Sequence, residues 1–143
     1  VLMVGVTMMV RLEKHTFDQV VEQFLHIRTQ KSRQQVLDYI LAMPALYFVQ
    51  CGRRSCPVPW ITFESDVPIA MVFTEYDRAT QAIKSFIGDE HITRIVGLPT
   101  NAASMYMAAV GAQGVSRVCF NHGPQRFDAM LEEVLLAMNS MKR

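Results

Sequence analysis

The spacing of apolar residues changes twice along this chain. From Thr16 to Met43 they recur every three or four positions; from Leu46 to Phe73 they alternate or form short runs; beyond Thr93 strand-like and helix-like stretches alternate. The first pattern predicts two helices. Thr16-Phe17-Asp18-Gln19 and Ser32-Arg33-Gln34-Gln35 each fit a capping box, in which a hydroxyl takes the third backbone N–H and the Gln reaches back. The first helix is expected to bury Phe17, Val20, Val21, Phe24 and Leu25, and the second Val36, Tyr39, Ile40 and Met43, with Pro44 as the stop.

Leu46 to Gln50 and Trp60 to Phe63 are aromatic and β-branched, as strands are. The link Cys51 to Pro59 is expected to be a hairpin connection, and Glu64 to Pro68 a turn into the apolar strand Ile69–Phe73. Thr74 then stands where it could cap a helix whose Ala79, Ala82, Ile83, Phe86 and Ile87 form one face and whose end is Gly88. A strand over Thr93–Gly97, a helix over Asn101–Val110 capped by Thr100, and a strand over Val115–Phe120 follow. The last helix is expected to open at Pro124 and bury Phe127, Met130, Leu131, Val134, Leu135 and Met138. The alternation requires parallel pairing in the second half, so the expected fold is α/β with α+β character: a mixed sheet of about five strands, part antiparallel meander, with helices packed on it.

Composition narrows the classes. A chain of 143 residues, half of them hydrophobic, fits one domain over 1–143 that folds without metals or disulfides. Fourteen basic and thirteen acidic residues leave a net charge of +1, which offers no general attraction to nucleic acid or an anionic membrane. The basic stretch His26 to Lys31 has no interleaved aromatics and reads as a solvated connection. Three cysteines suit a reducing compartment, the cytosol, better than a secreted disulfide framework. The apolar Val1–Val10 is about half a membrane span and lacks the flanks of a signal peptide; a strand, a buried arm or a segment docked on a second copy is expected.

The order of two amphipathic helices, Leu46-Tyr47-Phe48-Val49, Phe73-Thr74-Glu75 and Leu98-Pro99-Thr100-Asn101 resembles the N-terminal domain of the SseB (enhanced serine sensitivity) family over roughly residues 17–120. Its recurring marks are a leucine-tyrosine-valine-proline strand, a phenylalanine-threonine-serine strand end and an asparagine-proline-glycine loop. The third is only echoed here, in altered order and without the glycine. The resemblance implies a bacterial, cytosolic regulatory or interaction module with no established active site, so it supplies no catalytic residue.

Three constellations carry possible chemistry. Cys51 and Cys56 with Cys119 and His122 offer two pairs of soft ligands that would close a zinc site if their loops met. Arg53 and Arg54 would favour the thiolate of either neighbouring cysteine. Thr100 and Asn101 open a helix after a tight turn, where backbone N–H groups can hold an anion, although Pro99 has no N–H to give. His15 and His91 stand in polar turns and are expected to be solvated. The expected function is therefore a non-catalytic protein-interaction domain, self-associating as a homodimer through an apolar surface such as Met105, Tyr106 and Met107, with no cofactor. The alternative is a small-ligand or anion binder, with or without enzyme activity, where the Arg53-Arg54 loop meets strand ends near Gly97 and Phe120.

Overall fold

The computed structural model describes residues 16–53 and 55–141; Val1–Val10, His15 and Arg54, all of which carry expectations above, lie outside the described residues. The chain divides into two compact units between Ile40 and Leu41.

The first unit holds helices α1 (Phe17–Ile27) and α2 (Gln30–Leu41). The capping box at Thr16 is present in both directions: its Oγ1 accepts from the Gln19 N–H, and Gln19 Oε1 accepts from the Thr16 N–H. Arg28 ends α1 in the left-handed region at φ 50°, so the chain reverses within one residue and α2 starts earlier than predicted. Its box is Thr29 with Ser32, each hydroxyl accepting from the other's backbone N–H, so Ser32 is the third residue of the helix and not its cap. Phe17 and Val21 are buried as expected, while Leu25 is exposed. The Phe17 and Tyr39 rings meet at 6.3 Å, and the Arg33 guanidinium lies over Phe24, joining the two helices.

The second unit is a mixed sheet with helices packed on it, the α/β class expected, built from seven strands where about five were predicted. They are β1 (Leu46–Cys51), β2 (Val58–Pro59), β3 (Ile61–Glu64), β4 (Val67–Phe73), β5 (Thr93–Leu98), β6 (Arg117–Phe120) and β7 (Phe127–Met130), with helices α3 (Tyr76–Ala82), α4 (Thr100–Ala112) and α5 (Leu131–Met141). The order across the sheet is β5-β1-β4-β6-β7; only β4 and β6 pair in parallel.

β1 and β4 touch through Tyr47 opposite Phe73 and Phe48 opposite Val72, then diverge. The segment β2–β3 enters the fork, pairing first with β1 and then with β4. Trp60 sits at the crossing: its N–H donates to Val49 O, and its own carbonyl accepts from the Met71 N–H. The predicted turn into β4 is a two-residue hairpin with Ser65 at φ 51° and Asp66 at φ 66°, the twist that matches paired strands.

One face of the sheet buries Val49, Ile69, Met71, Phe73 and Cys119 against Ala79 and Ala82 of α3. On the other, Ala70 packs with Val110 of α4 and with Val115, and the Phe48 ring meets Tyr106 at 4.5 Å. α4 and α5 approach closely because Gly111 has no side chain: a Cβ there would stand 2.6 Å from Leu131 Cδ2.

Two expectations change here. The residues taken for the opening of the last helix are β7, with Phe127 and Ala129 buried and Asp128 and Met130 exposed; the period is two, and the helix starts only at Leu131. Phe86, placed on the buried face of α3, is exposed: a π-type turn over Ile83–Ile87, closed by the Gly88 N–H on Ile83 O, widens the last turn and carries Phe86 outward. No helix among the described residues is long and apolar enough to cross a membrane.

Candidate functional site

Because β1 runs antiparallel to both β4 and β5, its last residue Cys51 lies opposite Thr93, and its first, Leu46, opposite Leu98. The Arg53 loop therefore leaves the sheet at the start of β5, whereas Thr100 and Asn101 follow its end. Arg53 and the Thr100-Asn101 pair are separated by the length of β5, about 17 Å. Arg53 does not converge with the strand ends near Gly97 and Phe120. Thr100 itself lies inside α4, whose cap is Pro99 with no side-chain hydrogen bond, and Asn101 is exposed with its Oδ1 accepting from the next backbone N–H.

The zinc set is not brought together either. Cys119 Sγ and His122 Nδ1 lie 3.8 Å apart, but β4 stands between β1 and β6, so Cys51 is at least two strand spacings from Cys119, about 10 Å. Cys56 is exposed on the loop beyond Cys51. Among the described residues no group of three His, Cys, Asp or Glu side chains could hold a metal ion.

What Cys119 and His122 do form is a closed polar cluster. Arg126 donates to Glu64 and Asp128 and lies 3.4 Å from His122 Nδ1. Burial pushes the Cys119 thiol up to about 12, despite the nearby Arg126 charge. Burial, and then the Arg126 charge, push the imidazole below its ordinary value. The Arg126 guanidinium can only donate, so in the neutral ring His122 Nδ1 is the acceptor of that contact. Buried and held protonated, the Cys119 thiol lacks the lowered pKa and the solvent access of a reactive cysteine. Cys51 is likewise raised by burial, against the expectation that neighbouring arginines would favour its thiolate.

Thr74 is not a helix cap. Its N–H donates to Asn121 Oδ1, and its Oγ1 accepts from Asn121 Nδ2, both at 2.9 Å. Asn121, in the left-handed region at φ 54°, also donates its own N–H to Val72 O. β4 leads on through α3 to one side of the sheet and β6 leads to the other, so Thr74 and Asn121 occupy the switch point where α/β sheets commonly bind ligands. Here the two side chains fill that place themselves and are buried.

The open site is at the other end of β5. Gln50, Cys51, Gly52, Arg53, Pro57, Ile92, Thr93 and Arg94 line a cleft of about 270 Å³. Arg94 Nη2 donates to Gln50 Oε1 at 2.7 Å, which orients its guanidinium, and Ile92 is 69% exposed at the rim. No carboxylate among the described side chains pairs with Arg53 or Arg94, in contrast to Arg126 and Arg78, which have Glu64, Asp128 and Glu75. Of the predicted site residues the cleft takes in Cys51 and Arg53. Arg94 and Gln50 were missed; the signal available was an arginine at an outward strand position, which sequence alone does not separate from a solvated charge. The methionine-rich surface also dissolves: Met107 is buried and Met105 is 73% exposed, as neighbours on a helix must point apart.

No protein-family model and no curated protein matches this chain.

Proposed function

We propose that this chain is a non-catalytic protein-interaction module of the SseB-like type that self-associates through β5. The observation that carries the reading is the free edge of that strand. All six residues of β5 pair with β1, and among the described residues no strand covers its other side. Natural edge strands are usually shortened or guarded by lysine or proline. β7, the opposite edge, is four residues long and carries Asp128, whereas β5 contains neither lysine nor proline and its one charge, Arg94, is tied back to Gln50 on β1. Antiparallel addition of a second β5 about a twofold axis would continue the sheet and satisfy the edge. The burial of the Cys119 thiol, which raises it to about 12, supports the non-catalytic reading. The two fuller matches to the SseB pattern stand side by side at the sheet centre, Tyr47 opposite Phe73, as one structural unit.

Sedimentation velocity with hydrogen exchange tests this. A dimer is expected in which β5 amides become more protected as concentration rises, and Val96→Lys, which sets a charge mid-edge, should return it to monomer. A monomer at every concentration with β5 amides exchanging unchanged would refute the reading.

A further inference from the structure

We infer that the cleft at the start of β5 binds a small organic phosphate, with the phosphoryl group between Arg53 and Arg94 and the organic part against Ile92 and Pro57. The cleft is concave, about 270 Å³, and two arginines are among its lining residues while no carboxylate is. Arginine presents several N–H donors in a fixed fork that matches phosphate oxygens, and the bond to Gln50 holds the Arg94 fork in one orientation before any ligand arrives. Charge selects the ligand class: two cations call for a dianion, and a phosphate monoester carries about −1.5 to −2 near neutral pH, where a carboxylate supplies one charge. Ile92 and Pro57 add the apolar wall that such ligand sites combine with a few polar groups. The inference does not depend on self-association, because the cleft lies within one chain.

The test is an amide NMR titration with phenyl phosphate and, in parallel, benzoate. Phenyl phosphate should shift Gly52 and Thr93 saturably, bind at least about tenfold more tightly than benzoate, and weaken as pH falls through the second phosphate ionisation near 6. R53Q and R94Q should each weaken it by about tenfold or more, the loss expected for one charge-assisted contact. Arg53 lies on an exposed loop, so R53Q leaves the sheet intact and decides the matter even if R94Q disturbs β5. Equal binding of the two probes, unchanged binding in R53Q, or no saturable shift at millimolar phenyl phosphate would overturn the inference.

Discussion

Asn121 shows how much one side chain can be asked to hold. Its amide pairs with the Thr74 N–H and hydroxyl oxygen, and its backbone takes a left-handed conformation that asparagine tolerates and alanine resists. Asn121→Ala should therefore cost about 2–4 kcal/mol by denaturant melts, since it leaves two buried groups of Thr74 without partners. Asn121→Gly, which accepts the backbone angle, should recover only the smaller part. Cys119 gives a pH prediction of definite sign. Its thiol is fully buried and pushed up to about 12, from an ordinary value of 9.0. Between those values the unfolded chain releases a proton that the native state keeps, so stability falls as pH rises, by about 1.4 kcal/mol per unit. The same melts on Cys119→Ala should show that alkaline component gone. His122 works in the opposite sense: held below its ordinary value, it loses stability as pH falls through 6.5.

Among the elements, local chemistry was legible and long-range partnership was not. The Thr16 box, the Ser65-Asp66 turn and the strands β1 and β4 follow from short-range patterns and stand where the sequence places them. Ser32 was misplaced because two overlapping hydroxyls compete for one helix start, and the left-handed Arg28 decides between them. Replacing the true cap, Thr29→Ala, should cost about 1 kcal/mol, whereas Gln35→Ala should stay within a few tenths; paired thermal melts separate the two. Thr74 looked like a cap because its real partner lies 47 residues away. The β7 segment, Phe-Asp-Ala-Met, is too short for periodicity to separate a strand from a helical turn when a helix follows directly.

In the molecule as a whole, the mixed sheet was foreseeable from alternating periods, but its strand order was not. That order fixes the candidate site. Once β1 is antiparallel to β5, Arg53 must keep company with Thr93 and Arg94, and Thr100 must lie elsewhere, whatever their sequence suggests singly. The opposed ends of β5 also explain why the zinc and anion sets scatter: each joined loops that leave the sheet at different places.

The clasp between Thr74 and Asn121 also has a place in time. The Ser65-Asp66 hairpin closes over neighbouring residues, so β3 and β4 can form early, while pairing of β4 with β6 must first pay the entropy of closing the long stretch between them. A contact that closes after the folding barrier slows unfolding without speeding folding. Asn121→Gly is therefore expected to speed unfolding and leave folding almost unchanged, which folding and unfolding rates measured side by side would check.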